Sequence, residues 1–323
     1  MKPDMSRRHF VKGSVLATTA AALANSARSI AADATTPAKC ASALPKGKIC
    51  GMEVSRILLG GNLLTHFTHS RELKYVYALT RHYNTDAKIL ETLAVAEQNG
   101  VNTLVIHTVP AALKVLQQHR KERGGKMQWI ICTTAPIEPG LKKYRESVQK
   151  MVDDGTDAIY VWGVQTDALI RQGKAELIGE AVQVIKQHGV PTGVGAHDLE
   201  VIKASEKGKF EADFYIKTFH HHNYRTGPKP DDIKTAHAEI PGYWCSHPQE
   251  TADFMKTVEK PWIAFKVMAA GAIPPRNAFR YVFENGADFS LAGMFDFEIA
   301  EDVQIASEVL ASLPKQRARP WRG

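Results

Sequence analysis

The chain has 323 residues and a formal net charge of +7. Five basic residues and one acidic residue lie within the first 31 residues, so four net positive charges are concentrated there and the remainder carries +3. A domain this close to neutral lacks the basic surface that nucleic-acid binding requires, and no nucleic-acid partner is expected. The four cysteines include no C-x-x-C pair, so a structural zinc site is not supported.

The first part of the chain has the three features of an export signal. Residues 5–12 (MSRRHFVK) resemble the twin-arginine consensus, an apolar run follows at 15–23, and small residues suited to cleavage occupy 29–32. The apolar run is too short to span a bilayer, so no stable membrane anchor is expected. We predict that residues 1–32 are a signal peptide and that the twin-arginine export machinery delivers the protein to the periplasm or another extracytoplasmic compartment.

The rest of the chain divides into three segments. Residues 33–46 are rich in Ala, Thr, Pro and Lys and predict a linker. Residues 47–313 are close to the typical size of one (β/α)8 (TIM) barrel, about 250 residues. Residues 314–323 form a basic tail, which we expect to be solvated. The sequence therefore predicts a single α/β domain after the signal peptide.

Short apolar runs alternate with longer amphipathic stretches in this domain, which is typical of a parallel sheet with crossover helices. The predicted barrel strands are Ile57–Gly61, Thr103–His107, Trp129–Thr133, Ala158–Trp162, Thr192–Ala196, Phe214–Lys217, Ile263–Val267 and Phe289–Ala292. Two connections, 65–86 and 220–246, are long and leave from C-terminal strand ends. Long loops at that face of a barrel usually cover a site.

Three segments are similar to the aldo/keto reductase family. Residues 47–62 resemble its opening hairpin and first strand, 92–103 resemble the helix into its second strand, and 291–303 resemble its last strand and the helix that contacts the cofactor's adenosine. The resemblance implies an aldo/keto reductase-like barrel and, as one alternative, a retained NADP site.

The catalytic tetrad of that family is not matched. Its second strand ends in an aspartate with a tyrosine shortly after, whereas this chain has His107 and no tyrosine nearby. Where the family has a lysine on the third strand and a histidine on the fourth, this chain has Thr133, Thr134 and then Tyr160 to Gly163. Without the acid and its lysine partner, carbonyl reduction lacks the family's proton source. We therefore expect a different active site on this scaffold.

Ionisable side chains follow several predicted strands. His107 ends the second strand, His197 follows the fifth, Lys217 and His220 lie at the end of the sixth, and Lys266 lies in the seventh. Because the C-terminal ends of barrel strands converge, these groups are predicted to meet at one mouth. For each histidine alone, the alternative is a hydrogen-bonded wall residue.

Three adjacent histidines are the strongest local signal for a metal. An extended chain alternates sides, so His220 and His222 can face one point while His221 faces away. Together with His107 or His197 they would hold Zn²⁺, Mn²⁺ or Fe²⁺ with a position open for water or substrate. A solvated loop is the alternative.

The two lysines suggest a second kind of chemistry. A lysine desolvated inside a barrel can form a Schiff base with a carbonyl compound, and Lys217 and Lys266 are the candidates. Pairing of each lysine with a carboxylate is the structural alternative. Two lysines on adjacent strands would also suit an anionic substrate.

Small residues near the last two strands suggest a cofactor end. Gly271, Gly293 and Met294 lie in segments similar to the phosphate-binding loops of many barrels, where backbone N–H groups face an anion. The acidic residues of segment 296–302 would weaken phosphate binding if they faced inward. Asp296 would then be a candidate ligand or acid/base group.

These observations favour an exported barrel enzyme that acts on a small polar carbonyl compound or polyol, carbohydrate-derived compounds included. His107, His197, Lys217 and Lys266 are its predicted catalytic groups, and His107, His197, His220 and His222 are its predicted ligands for a divalent metal. One alternative is an NADP-dependent oxidoreductase of the aldo/keto reductase type with an altered active site. Another is a barrel that binds a small molecule without turnover.

Overall fold

The computed structural model describes residues 44–238 and 242–323. The predicted signal peptide and residues 33–43 of the predicted linker lie outside the described residues. Eight parallel strands form a closed barrel, which confirms the predicted fold class. The barrel strands are β3 (Ile57–Gly60), β4 (Thr103–His107), β5 (Gln128–Cys132), β6 (Ala158–Val161), β7 (Thr192–Ala196), β8 (Phe214–Thr218), β9 (Trp262–Phe265) and β10 (Phe289–Ala292).

Each strand pairs with the next along the chain, and β10 closes the barrel against β3 through Ser290 opposite Ile57. Helices cover the outside. They are α1 (Tyr75–Tyr83), α2 (Asp86–Gln98), α3 (Pro110–Glu122), α4 (Lys142–Asp153), α5 (Gly163–Arg171), α6 (Glu176–Lys186), α7 (Leu199–Lys207), α8 (Pro248–Lys256), α9 (Pro275–Glu284) and α10 (Asp296–Ala311). Among the described residues, no helix combines the length and the apolar character needed to cross a membrane.

Two apolar layers account for the closure of the barrel. Side chains that alternate along the strands fill its interior, including Leu58, Val105 and Ile216. The intervening side chains, such as Leu104 and Ile131, pack against the surrounding helices. Since neighbours on a strand point to opposite faces, both faces of the strands must be apolar. This explains why the strands read as continuous hydrophobic runs.

A hairpin of β1 (Lys46–Ile49) and β2 (Met52–Ser55) precedes the barrel. Ile49 and Val54 are fully buried and join the interior cluster of the barrel. The hairpin therefore closes the end from which the strands begin and leaves the other end available for a site.

The basic tail is only partly solvated, which corrects our expectation for residues 314–323 at Arg319. Arg319 is buried, and its guanidinium pairs with the Asp288 carboxylate at 2.6 Å and donates to the carbonyl oxygens of Val258 and Lys260. Trp321 lies over the guanidinium of Arg56 at 3.9 Å. The charge of Arg319 is satisfied by the protein rather than by water, whereas Lys315 is exposed, and composition alone does not reveal this difference.

Candidate active site

A cavity of about 1010 Å³, here called the mouth cavity, lies at the C-terminal ends of the barrel strands. Its aromatic walls include Phe67, Trp162, Trp244 and Phe265. The ionisable side chains that line it are His69, His107, Tyr160, His197, His237, Lys266, Glu298 and Asp302. Few polar groups converging in a mostly apolar cavity of this size are typical of a small-molecule site.

A buried carboxylate–imidazole pair forms one wall of the mouth cavity. The Oδ2 atom of Asp167 lies 2.7 Å from Nδ1 of His197. The other carboxylate oxygen, Oδ1, accepts hydrogen bonds from the backbone N–H groups of His197 and Asp198, both at 3.0 Å. Because the ionised carboxylate only accepts, Nδ1 of His197 carries the proton and Nε2 is the basic nitrogen.

Two glycines bring the pair together. Helix α5 begins at Gly163, where an added Cβ would lie 3.1 Å from the backbone nitrogen of Ala196. Gly195 faces it from β7, and a Cβ there would lie 3.0 Å from the nitrogen of Gly163. The hydroxyl of Thr166 donates to the carbonyl oxygen of Gly195 at 2.6 Å. Helix α5 therefore packs directly on β7. Asp167, which follows Thr166 on this helix, consequently reaches His197.

Burial sets the protonation states of this pair. Burial lowers the pKa of His197 to about 4, although the adjacent Asp167 opposes the shift. Burial also disfavours the charged form of Asp167, but hydrogen bonds from His197 and Asp198 outweigh this and hold its pKa below the ordinary value. The pair is thus a neutral imidazole held by an ionised carboxylate at neutral pH, which is the state of a general base.

His237 adds a third donor beside the pair. Its ring stacks on that of His197 with centroids 4.3 Å apart, and Asp167, His197 and His237 each offer a ligand atom within 4.8 Å of the others. Two imidazoles and a carboxylate are a donor set that suits Zn²⁺, Mn²⁺ or Fe²⁺. Asp167 already accepts several hydrogen bonds, so it fits best as the carboxylate that orients His197 from behind.

Lys266 faces the same cavity just after β9. Its ammonium group contacts Nε2 of His69, which lies in the long loop after β3, and stands 5.2 Å from the ring centroid of Trp244. Lys266 has a φ of 56°, and Ala269 and Ala270 also have positive φ values. Left-handed backbone at non-glycine residues is costly and concentrates at functional sites. The strained backbone of Lys266 is therefore consistent with a functional role for this residue.

His107 is the other predicted catalytic residue that lines the mouth cavity. It ends β4, is half-buried, and its ring lies 6.0 Å from that of Phe67. Burial lowers its pKa, so it is a second neutral imidazole in the cavity. It is not in the donor group formed by Asp167, His197 and His237.

The structure places the predicted ligands His220 and His222 outside the mouth cavity. Nδ1 of His220 donates to the His221 carbonyl oxygen at 2.9 Å, while Nε2 accepts from the backbone N–H groups of Trp244 and Cys245 at 3.0 and 3.2 Å. Nε2 of His222 donates to the Cys245 carbonyl oxygen at 2.6 Å. Both ring nitrogens of His220 are occupied, so this residue positions the segment that carries Trp244.

Lys217 also lies away from the mouth cavity. It is buried on β8, on the face opposite to Ile216, and lines a separate groove of about 270 Å³ with Asp198, Ser246 and Thr251. Its ammonium donates to the carbonyl oxygen and the hydroxyl of Thr218 at 2.9 and 3.0 Å. Burial lowers its pKa. Adjacent side chains on a strand point to opposite faces, so Lys217 lies on the helix-facing side of β8 while Ile216 faces the barrel interior.

The predicted cofactor end is acidic. Gly271 and Gly293 line the mouth cavity, whereas Met294 is buried beside it. Glu298 and Asp302 also line the mouth cavity, so two of the acidic residues of segment 296–302 are placed where they would weaken phosphate binding. Asp296 points elsewhere, since its carboxylate accepts from the Tyr83 hydroxyl at 2.7 Å and pairs with Lys88 at 3.1 Å.

Sequence reasoning missed Asp167, His69 and His237. The last two lie in the long loops that were expected to cover a site, so loop length was the available signal. Asp167 lies within a helix, and nothing local distinguishes it from a solvated helical aspartate. Only the close packing of α5 on β7 reveals its role.

The fold is that of an aldo/keto reductase-like barrel. The chain matches "Putative aldo-keto reductase from Pseudomona aeruginosa" at 17% identity, with a TM-score of 0.58 over 85% of this chain and 100% of that one. Aldo-keto reductase AKR11C1 from Bacillus halodurans matches at 12% identity and TM-score 0.53, over 87% and 100%. A mutant of Gox0644 described in complex with NADPH matches at 10% and 0.54, over 85% and 90%. No protein-family profile and no curated protein matches the chain.

Proposed function

We propose that this protein is an exported enzyme that moves a proton on a small polar carbonyl or hydroxyl compound bound in the mouth cavity. The observation that carries the proposal is the hydrogen bond between Asp167 and His197 in the cavity wall. An imidazole whose Nδ1–H is fixed by a buried carboxylate presents a basic Nε2 of defined direction. This is the arrangement that general-base chemistry needs.

In this proposal, His197 removes a proton from the carbon next to a carbonyl, or from a hydroxyl group. The resulting charge on oxygen requires a nearby cation or hydrogen-bond donor. Lys266 is the only lysine or arginine among the described residues that line the mouth cavity. We assign it the role of stabilising the oxygen, with His69 holding its ammonium group in place.

The aromatic walls support the same chemistry. Trp162, Trp244 and Phe265 line the cavity around the ionisable groups. An apolar, water-excluding surround strengthens the interaction between Lys266 and a developing oxyanion, because the local dielectric constant is low. Burial in this surround also keeps the imidazole of His197 neutral.

With His197 as the base, the proposed reaction class is isomerisation, lyase cleavage or aldol chemistry. In each of these the first step is removal of a proton.

A divalent metal at the same residues is an alternative to proton removal by His197, because Nε2 of His197 cannot both hold a metal and accept a proton, and it is tested separately. His197 and His237 would supply imidazole nitrogens, with Asp167 orienting His197. A bound ion would polarise the substrate oxygen as a Lewis acid. Elemental analysis of the protein purified from its export compartment, with and without His237→Ala, checks this: metal at one equivalent that is lost in the variant supports it, and no stoichiometric metal removes it.

Export is tested through the two arginines of the predicted signal. Conservative replacement of both Arg7 and Arg8 by lysine preserves charge but removes the pair that twin-arginine recognition reads. We expect the wild-type protein in the extracytoplasmic fraction of the cell and the variant in the cytoplasm. Equal export of both would remove this part of the proposal.

A nicotinamide-dependent oxidoreductase is the second candidate, favoured by the aldo-keto reductase neighbours, one of which is described in complex with NADPH. The charges of the cavity fit a phosphate-bearing cofactor poorly. Glu298 and Asp302 line the cavity, and Lys266 is the only lysine or arginine among the described lining residues. Helix α9 begins at Pro275 after the N-cap Pro274, and the nitrogens of both prolines have no proton to donate. A thermal shift of several degrees with NADP⁺ would favour this candidate over the first.

Proton exchange into candidate substrates in D₂O tests the leading proposal without knowledge of the final product. A panel of aldoses, ketoses and hydroxy ketones is incubated with enzyme, and deuterium at the carbon next to the carbonyl is followed by NMR. We expect exchange for at least one compound class and a loss of about a hundredfold to ten-thousandfold in His197→Ala. The exposed His82 provides the matched control, His82→Ala, which retains the wild-type rate. Binding without exchange would instead favour a non-catalytic barrel.

A further inference from the structure

Asp302 is a buried carboxylate without a counter-ion. It lies on α10, is 6% exposed, and lines the mouth cavity. Among the described residues, no hydrogen-bond donor and no basic side chain pairs with it. An ionised carboxylate removed from water without a partner is costly, so native proteins rarely keep one. Because Asp302 lines the mouth cavity, a ligand bound there can supply the missing partner.

The surroundings of Asp302 add negative charge. Glu298 lies one turn earlier on α10 and lines the same end of the mouth cavity. One of its oxygens accepts from the backbone N–H of Phe295 at 2.9 Å. Burial, followed by the nearby carboxylates of Glu298 and Glu301, raises the pKa of Asp302 to about 7. The mouth cavity therefore contains carboxylates from α10 as well as the ammonium group of Lys266.

The same region disfavours an anion and accommodates hydrocarbon. Pro274 and Pro275 remove two amide donors from the start of α9. Met268, Ile273 and Leu291 supply apolar surface to the same cavity. A neutral hydroxyl group would satisfy a hydrogen bond of Asp302 but not its missing positive charge. An ammonium group supplies both, and charge-assisted hydrogen bonds are the stronger kind.

We propose that the Asp302 end of the mouth cavity binds the ammonium group of an amine-bearing carbonyl or hydroxy compound, such as an amino ketone or an amino sugar. The inference rests on the proposed function, because the carbonyl or hydroxyl end of that compound is placed at His197 and Lys266. Asp302 is a binding residue in this assignment. Glu298 contributes to the negative potential of the site.

Matched pairs of small probes test the inference. Aminoacetone is compared with hydroxyacetone, glucosamine with glucose, and ethanolamine with ethylene glycol, with pyruvate as an anionic probe. Binding is measured by saturation-transfer NMR and, for the probes that bind, by calorimetry. We expect each bound amine to have a Kd about tenfold or more below that of its hydroxyl partner, as one charge-assisted contact provides. Asp302→Asn should abolish this preference.

Glu301→Gln is the matched control. Glu301 is exposed at the neighbouring position of α10, and its substitution removes the same negative charge as Asp302→Asn. It should keep at least most of the amine preference, and Glu298→Gln should show an intermediate loss. Equal or tighter binding of the hydroxyl or anionic probes, no binding of any amine, or an undiminished preference in Asp302→Asn would overturn the inference. His197→Ala separates the two proposals: it should lose proton exchange and keep amine binding. Exchange without amine preference contradicts this inference alone, and amine preference without exchange in the wild-type protein contradicts only the proposed function.

Discussion

Asp167 and His197 come from a helix and from the end of the next strand, yet their side chains meet at 2.7 Å within the barrel wall. Both are buried, and the carboxylate accepts further hydrogen bonds from the backbone of His197 and Asp198. This contact fixes which nitrogen of His197 carries the proton. The aldo/keto reductase-like barrel therefore holds a candidate base after β7, its fifth barrel strand. The strands compared with the family's tetrad in the sequence analysis were the second, third and fourth.

Asp167→Asn tests the orienting role of the carboxylate. The substitution keeps the shape of the side chain but allows the amide to donate, so the His197 tautomer with a proton on Nε2 becomes available. We expect proton exchange to fall by about a hundredfold or more, as for the equivalent change in Ser-His-Asp enzymes. Nitrogen-15 NMR of the histidine rings should show the proton on Nδ1 in the wild-type protein and a mixture in the variant. An unchanged rate would mean that Asp167 is only structural.

Arg319→Ala should destabilise the protein strongly. Its guanidinium pairs with Asp288 at 2.6 Å, and both side chains are fully buried. Removing one partner of a buried ion pair costs about 3–5 kcal/mol, because the other charge stays buried and unpaired. Urea denaturation measures the free energy of unfolding. Lys315→Ala, an exposed residue of the same tail, should change it by less than about 0.5 kcal/mol. Equal effects would show that the tail does not pack as described.

His220→Ala distinguishes a structural histidine from a metal ligand. The variant leaves the backbone N–H groups of Trp244 and Cys245 without their acceptor, and a buried unpaired donor costs about 1–3 kcal/mol. We expect lower stability and unchanged metal content, if metal is present. His220→Gln, which retains an acceptor, should lose less stability. Loss of stoichiometric metal in both variants would instead support the prediction that His220 is a metal ligand.

Stability should fall on acidification. Burial lowers the pKa of His197 to about 4 and that of His220 to about 3, from an ordinary value of 6.5. Below pH 6.5 the unfolded chain takes up these protons and the folded protein does not, so unfolding becomes easier as pH falls towards 4. Each group contributes a slope of up to about 1.4 kcal/mol per pH unit over this window.

Asp302 acts in the opposite direction, because its pKa is raised to about 7. The unfolded chain ionises this carboxyl first, so its contribution to stability is lost as pH rises towards 7. Chemical denaturation between pH 4 and pH 8 measures the combined effect. Asp302→Asn should steepen the gain in stability with rising pH, and His220→Gln should flatten it. A flat profile in Asp302→Asn, where the opposing contribution is absent, would mean that neither histidine is buried in its neutral form.

Periodicity predicted the barrel well because strands that are buried on both faces appear in the sequence as short apolar runs. Thr103–His107, Thr192–Ala196 and Phe289–Ala292 were predicted with the bounds that the structure has. The candidate site was less predictable. His107, His197 and Lys266 reach the mouth cavity, but Lys217 faces the helices and His220 is held by the backbone. Strand register and hydrogen-bond partners decide such cases, and neither is visible in residue type or spacing.

Chemical rescue of His197→Ala by imidazole tests the central claim most directly. Truncation leaves a cavity beside Asp167 into which free imidazole fits, so added imidazole should restore proton exchange in a saturable manner that follows its unprotonated fraction. The His82→Ala control should show no response. A folded His197→Ala protein that exchanges the substrate proton at the wild-type rate without imidazole would contradict the account.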